Sequence, residues 1–328
     1  MEASERVAAP DRYTAAPFGR RLHAAGLRLW VAEDGPEDGP PVILVHGLGS
    51  HGGVWRRIVP GLAARGLRVL VPDLPGHGLS DGKRHRGTYS PRFFARVILA
   101  LADALGLDGL VVAGNSLGGA VAARAALVAP GRVRRLVLID SAGLDPNPVP
   151  WRTRLMYLPL AAPLALGLTP SPLWMRMFVE RAVVADPAQA GELTLVMAAH
   201  PPLPGALRRS ATALLQADAS VYAELPKLAC PTLLLWGELD VQFPVAIAEA
   251  ALARIPHARL VRVAGAGHVP QWETPDPVVS LIGAFLGTAT PAPPARAATG
   301  TATAPLPRLR PRRPIARPVR PHGAPSDR

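Results

Sequence analysis

The sequence predicts an α/β fold in which a mostly parallel central sheet is flanked by helices. Strand-like apolar runs alternate with helix-like runs along the first 140 residues, and the same alternation resumes near residue 229. The strand-like runs are apolar on both faces, which is typical of a buried parallel sheet. A helix-rich stretch separates the two parts, so we expect a helical insertion within one sheet.

The first part of the core is predicted from its apolar runs and helix-start signals. Ser90 followed by Pro91 marks the beginning of one helix, because serine caps helix N-termini and proline fits the first helical turn. The other boundaries follow from where the apolar runs start and end. The predicted strands are 27–33, 41–47, 67–73, 109–116 and 133–140, and the predicted helices are 54–66, 90–106 and 117–130.

The alternation stops near residue 141. The segment that follows is rich in Leu, Ala and Pro, and its helix-like pieces predict an inserted helical domain. After it, strands over 231–240 and 258–268 and helices over 244–255 and 275–287 complete the core. The predicted organisation is a disordered N-terminal segment (1–20), a first core part (21–140), the helical insertion (141–228), a second core part (229–287) and a disordered tail (288–328).

The composition indicates a chain that buries a sizeable core. Hydrophobic residues make up 49% and charged residues 18% of the 328 residues, which excludes a wholly disordered protein. The single cysteine, Cys230, excludes an intrachain disulfide and is expected to be a small packing residue. The N-terminus lacks a basic-then-apolar signal sequence, and no apolar run has the length of a membrane span, so we expect a cytoplasmic protein.

The net charge of +12 is concentrated in the tail. Residues 289–328 contain eight arginines and one aspartate, which leaves +5 for the rest of the chain and gives no indication of a nucleic-acid-binding body. The ten prolines of the same segment predict a solvated tail that forms no core. An arm that contacts a polyanion is the alternative.

A serine in the stretch GNSLGG, residues 114–119, lies between a strand-like run and an alanine-rich helical run. Gly-x-Ser-x-Gly in this setting predicts a sharp strand-to-helix turn that presents Ser116 at the carboxyl edge of the sheet. Serine is a poor nucleophile unless a base takes its proton, and the base needs an orienting carboxylate. Ser116 is therefore a candidate nucleophile that requires two partners.

Two later residues supply those partners. His268 ends the run VRVAGAGH and Asp240 ends LLLWGELD, so each follows a predicted strand at the same sheet edge as Ser116. An imidazole can accept a proton near neutral pH and return it to a leaving group. Asp140 also ends a strand and is the alternative acid.

Acyl transfer also needs hydrogen-bond donors for the oxyanion that forms. The backbone N–H of Leu117, directly after the nucleophile, is one predicted donor. The N–H of Leu48 in HGLG, where the chain leaves the strand 41–47, is the other. His46 of the same stretch is expected to hydrogen-bond the backbone beside the site.

Five motifs, in order along the chain, resemble those of the α/β-hydrolase fold superfamily. The resemblance covers about residues 22–287 and implies the α/β-hydrolase fold, with 141–228 as a helical cap inserted after the sixth core strand. It also implies a Ser116–His268–Asp240 triad and hydrolysis through an acyl-enzyme. The motifs are HGLG (46–49), DLPGHGLSD (73–81), GNSLGG (114–119), GELDVQFP (237–244) and GHVPQWETP (267–275).

Two of these pieces resemble a narrower group, the C–C bond hydrolases that cleave ring-fission products of aromatic degradation. That resemblance implies substrate-binding roles for Asn115, for Trp272 and for Arg181 of FVERAV. The loop HGLGSHGGVW differs from the Gly-x-Gly-Pro-Gly loop of that group. Carboxylesterases, lactonases and perhydrolases share the other motifs.

The sequence therefore predicts a serine hydrolase that acts on a small-molecule substrate without a metal or a cofactor. A cap rich in Leu and Met, with Trp151 and Trp174, favours an ester with an apolar acyl or aryl part. A C–C bond hydrolase of a diketo acid and a lactonase or perhydrolase are alternatives. A non-catalytic ligand-binding protein of the same fold is the alternative from another class.

Overall fold

The computed structural model describes residues 6–8, 18–82, 89–145, 171–215 and 220–288. A sheet of nine strands lies at its centre. The strands are β1 (Arg6–Ala8), β2 (Phe18–Ala24), β3 (Leu27–Asp34), β4 (Pro41–Val45), β5 (Arg68–Pro72), β6 (Leu110–Asn115), β7 (Val133–Ile139), β8 (Thr232–Gly237) and β9 (Ala258–Val263). They lie in the order β1-β2-β3-β5-β4-β6-β7-β8-β9.

The sheet has an antiparallel edge and a parallel body. Strands β1, β2, β3 and β5 pair antiparallel in that sequence. From β5 through β4, β6, β7 and β8 to β9, every neighbouring pair is parallel. The carboxyl ends of these parallel strands therefore meet at one edge of the sheet, which is where open α/β sheets bind ligands.

Helices cover both faces of the sheet. One face packs against α2, α3 and α7, and the other packs against α1 and α9. Helix α3 lies close to the strands because it is built mainly from Gly and Ala, and ten of its twelve residues are buried. The helices are α1 (Val59–Ala63), α2 (Pro91–Ala104), α3 (Leu117–Val128), α4 (Pro172–Phe178), α5 (Ala190–Ala199), α6 (Pro204–Leu215), α7 (Val245–Leu252), α8 (Pro270–Glu273) and α9 (Pro275–Leu286).

The insertion between β7 and β8 forms a cap whose described part is helical. It contains α4, α5 and α6, and no strand occurs where the structure describes residues 141–228. Buried side chains from this region, among them Val179 and Leu193, join the core cluster on the face that carries α1 and α9. Trp174 is exposed, and Trp151 lies outside the described residues.

The structure corrects several sequence expectations. Strand β1 and the start of β2 lie within 1–20, which was expected to be disordered, because Arg6–Ala8 adds an edge strand that pairs with β2. The cap lies between β7 and β8, which is after the sixth strand when the short edge strand β1 is not counted. The predicted helix 54–66 is a 3₁₀ turn, Gly52–Trp55, followed by the short α1.

Two other expectations concern the ends of the chain and the membrane. The predicted tail, 288–328, lies outside the described residues except for Thr288, and its contact with a polyanion stays a prediction. Among the helices that the structure describes, none has the length and apolar character needed to cross a bilayer.

Candidate active site

Ser116 occupies a strained turn between β6 and α3. Its backbone has φ 55° and ψ −119°, in the positive-φ region that residues other than glycine rarely adopt. The neighbouring glycines make this turn possible. A Cβ at Gly114 would lie 2.0 Å from the carbonyl oxygen of Gly118, and a Cβ at Gly118 would lie 2.0 Å from that of Val45. The sequence Gly-x-Ser-x-Gly is therefore required by close backbone contacts at this junction.

The candidate base and acid are hydrogen-bonded to each other at the same edge. His268 Nδ1 lies 2.8 Å from Asp240 Oδ2, and both side chains are buried. The other carboxylate oxygen of Asp240 accepts the backbone N–H groups of Gln242 at 2.7 Å and Phe243 at 3.1 Å. An ionised Asp240 holds the proton of the neutral imidazole on Nδ1, which leaves Nε2 as the proton acceptor.

The backbone of His268 is fixed from both sides. Its N–H donates to the carbonyl of Val183 in the cap at 2.8 Å. Its carbonyl accepts the side-chain amide of Asn115 at 2.9 Å, and the same amide donates to Ile139 at 3.1 Å. Asn115 therefore joins the ends of β6 and β7 to the loop that carries the imidazole, and its amide nitrogen is engaged in these two bonds.

Glu273 braces the same loop, and the sequence analysis did not single it out. Its Oε1 accepts the N–H of Gly267 at 2.9 Å and its Oε2 accepts the N–H of Ala185 at 2.6 Å. Burial raises the pKa of the Glu273 carboxyl, and these N–H groups oppose that effect. A glutamate at the end of a short helix normally indicates an exposed residue, so the sequence carried no signal for this role.

The turn after β4 lies next to the serine. A Cβ at Gly47 would lie 3.3 Å from the Cβ of Ser116, so the chain segment that holds Leu48 adjoins the nucleophile. His46 holds this turn: its Nδ1 donates to the Gly47 carbonyl at 2.8 Å, and its Nε2 accepts the N–H of Leu74 at 2.9 Å. The expected contact of His46 with the backbone is confirmed.

Two of the residues expected to bind substrate differ sharply in burial. Trp272 is fully buried, and the guanidinium groups of Arg56 and Arg57 lie 4.9 Å and 4.1 Å from its ring centroid. The Trp272 ring therefore has no exposed surface in this structure. Arg181 belongs to the π-helical segment Val179–Val183, and its side chain is exposed.

One group of side chains has the spacing of metal ligands. The candidate ligand atoms of Asp140, Asp240 and His268 all lie within 4.8 Å of one another, and all three residues are buried. The imidazole Nδ1 is already bonded to Asp240 at 2.8 Å, so a metal ion would have to displace that bond. The arrangement fits a hydrogen-bonded chain of titratable groups.

These features have counterparts in known proteins. The model of a family described as the alpha/beta hydrolase family matches residues 42–281, which is most of the chain. The chain belongs to the alpha/beta hydrolase family. The elbow at Ser116 and the loops after β7, β8 and β9 all lie within the matched range.

Relatives of this hydrolase differ in what their names describe. The magnesium-chelatase 30 kDa subunit of Rhodobacter capsulatus is 33% identical over 264 residues, covering 78% of this chain and 89% of the relative. The pimeloyl-[acyl-carrier protein] methyl ester esterase of Nitrosomonas europaea is 34% identical over 255 residues, covering 76% and 96%. A solved meta-cleavage product hydrolase from Pseudomonas fluorescens IP01 superposes with a TM-score of 0.68 at 27% identity, covering 82% and 97%.

The hydrolase also buries three histidines beside the turn after β4, and we expect them to make its stability depend on pH. Burial lowers the pKa of His77 from 6.5 to about 4 and that of His51 to about 3, and it also lowers the pKa of His46. Below pH 6.5 these histidines are therefore protonated in the unfolded chain but remain neutral in the folded chain. As the pH falls from 6.5 toward its folded-state pKa, each histidine should lower the free energy of unfolding by about 1.4 kcal/mol per pH unit.

Urea unfolding followed by circular dichroism between pH 7 and about 4.5 measures this effect. Replacing His77 with Gln should reduce the slope of the unfolding free energy with pH by about one proton. The matched control is His23→Gln, because His23 is exposed on β2. A slope that is equal in wild type and His77→Gln would contradict the prediction.

Proposed function

We propose that this alpha/beta hydrolase is a serine hydrolase that cleaves carboxylic esters with an apolar acyl or aryl part. Ser116 is the nucleophile, His268 the general base and acid, and Asp240 the orienting carboxylate. The observation that carries the proposal is the 2.8 Å bond between His268 Nδ1 and Asp240 Oδ2, at the sheet edge where Ser116 occupies its strained turn. This is the order of roles that acyl transfer to a serine requires.

The proposed reaction has two halves. His268 Nε2 takes the hydroxyl proton as Ser116 Oγ attacks the ester carbonyl, and it then gives this proton to the departing alkoxide. Water, activated by the same nitrogen, hydrolyses the acyl-enzyme. The N–H groups of Leu117 and Leu48 are the proposed donors to the oxyanion of each tetrahedral intermediate. Leu117 is the first residue of a twelve-residue helix, whose N-terminus favours negative charge.

Apolar side chains next to these groups support an apolar substrate. The ring of Phe243 meets the imidazole of His268 edge-on, with the ring centroids 5.2 Å apart. Leu207 of the cap helix α6 packs against the turn after β4, where its Cδ1 would lie 3.6 Å from a Cβ at Gly49. An apolar acyl or aryl group could contact such side chains without removing polar atoms from water.

A C–C bond hydrolase is the second candidate. It is supported by the likeness to the meta-cleavage product hydrolase and by the same serine, histidine and aspartate in this chain. The loop HGLGSHGGVW favours the ester, because it lacks the Gly-x-Gly-Pro-Gly pattern of the C–C bond hydrolases.

A substrate panel tests the proposal. We expect purified protein to hydrolyse nitrophenyl esters of short and medium acyl chains, and a fluorophosphonate probe to label it covalently. Ser116→Ala should abolish both. Ser141→Ala is the matched control, because Ser141 is a buried serine near the elbow that donates to the Ala142 carbonyl. Rapid cleavage of a dienoic diketo acid with no ester turnover would favour the second candidate, and no labelling would refute the nucleophile.

A further inference from the structure

The site contains a second buried carboxyl, Asp140, which the proposed reaction does not use. Asp140 follows β7 directly and has no exposed surface. One carboxyl oxygen of Asp140, one of Asp240 and one ring nitrogen of His268 all lie within 4.8 Å of one another. Two carboxylates this close and this deeply buried are not both ionised, because their repulsion and their lost hydration add together.

The hydrogen-bond donors around the two groups decide which one carries the charge. Asp240 receives two backbone N–H groups on Oδ1 and the imidazole on Oδ2. Asp140 receives one, the N–H of Gly237, at 2.9 Å from Oδ1. Donors stabilise an anion, so Asp240 is the carboxylate. Asp140 Oδ2 has no hydrogen-bond partner among the described residues, and the Asp140 carboxyl lies within hydrogen-bonding reach of the Asp240 side chain.

We infer that Asp140 carries a proton on Oδ2 and donates it in a hydrogen bond to the Asp240 carboxylate, so that it acts as a positioning residue for the triad. The inference rests on the proposed function. The result is a chain of carboxylic acid, carboxylate and imidazole that holds a single negative charge. Asp140 itself is fixed by its N–H, which donates to Leu235 at 3.0 Å, and by a backbone φ of 42° that aspartate and asparagine tolerate.

The electrostatic surroundings agree with this assignment. Burial raises the pKa of Asp140 well above its ordinary value, and the negative charge of Asp240 raises it further. Glu273, from α8, adds a smaller effect in the same direction, while the N–H of Gly237 opposes it. The donated bond withdraws negative charge from the Asp240 carboxylate.

Two variants of Asp140 separate the protonated acid from an ionised one. Asp140→Asn keeps both bonds, since its amide oxygen accepts from Gly237 and its amide nitrogen donates to Asp240. We expect ester kcat/KM within about threefold of wild type and an unchanged acidic limb of the pH profile. Asp140→Gly keeps the positive-φ backbone but removes the donor. Here kcat should fall about 10–100-fold at unchanged KM, and the acidic limb should move to higher pH.

Several results would overturn the inference. An acidic limb displaced to lower pH in Asp140→Asn would show that a negative charge has been removed, and so would a loss of activity as large as that of Asp240→Asn. If Asp140→Gly had the same rate and pH profile as Asp140→Asn, the hydrogen bond from residue 140 would have no role in positioning Asp240.

An infrared measurement decides protonation without turnover. The difference spectrum of wild type minus Asp140→Asn, in protein labelled with ¹³C-aspartate, should contain the isotope-shifted C=O stretch of a carboxylic acid at pH 7. Absence of this band overturns the inference even in an active enzyme. If the band is present but no substrate is hydrolysed, the proposed function fails while the protonated Asp140 stands.

Discussion

Replacing Ser116 with alanine should lower ester turnover by a factor on the order of 10⁶, leaving little more than the reaction rate that binding alone provides. The loss is large because the acyl-enzyme cannot form without Ser116 Oγ. The remaining triad members act only through that oxygen. Alanine changes the side chain by one atom and leaves the glycines of the turn in place. Folding should therefore be preserved.

The measurement is kcat/KM on the best ester of the panel, together with the thermal unfolding midpoint of both proteins. An unchanged midpoint shows that the loss is chemical. Turnover within about a hundredfold of wild type would mean that the nucleophile is another group, because removing one oxyanion donor alone has an effect of that size.

Replacing Asp240 with asparagine should lower turnover by about 10⁴-fold while the fold remains intact. The N–H groups of Gln242 and Phe243 require an oxygen at the Oδ1 position, so the new amide nitrogen must face His268. That nitrogen donates to Nδ1 and places the imidazole proton on Nε2. His268 then cannot accept the proton of Ser116, although the geometry is nearly unchanged.

The control for this variant is Asp81→Asn, which makes the same chemical change at a partly exposed carboxylate paired with Arg28. It should retain full activity, since a surface ion pair contributes little. If Asp240→Asn kept wild-type turnover and Asp140→Asn lost it, the roles of the two acids would be reversed from those proposed.

Much of the fold and part of the site could be predicted from local patterns. The parallel body of the sheet follows from runs that are apolar on both faces, and the elbow follows from glycines whose Cβ atoms would collide with backbone. Edge strand β1 gave no such signal, since Arg6–Ala8 is short and its pairing with β2 depends on a distant partner. Strands at an edge bury less surface and leave weaker patterns.

The roles within the site were harder to predict, because they depend on contacts between distant segments. Asn115 and Trp272 both lie within motifs, yet the Asn115 amide binds two backbone carbonyls and the Trp272 ring packs against two arginines. Asp140 and Asp240 each end a strand-like run, and only the count of hydrogen-bond donors around each carboxyl distinguishes them. The position of these residues at the ends of strand-like runs predicts that they lie at one edge of the sheet. It does not predict which groups they hydrogen-bond there.

Residues 182–185 of the cap contact the loop of the acid, the loop of the base and the short helix α8, one contact each. Gln242 donates to Ala182, the N–H of His268 donates to Val183, and Ala185 donates to Glu273. If the cap moves to admit substrate, residues 182–185 are the expected hinge. Moving them would displace the His268 imidazole from its hydrogen bond with Asp240. Movement would then be largest in the parts of the cap distant from residues 182–185, and a cap exchanged into this protein would have to keep these residues to leave the position of His268 unchanged.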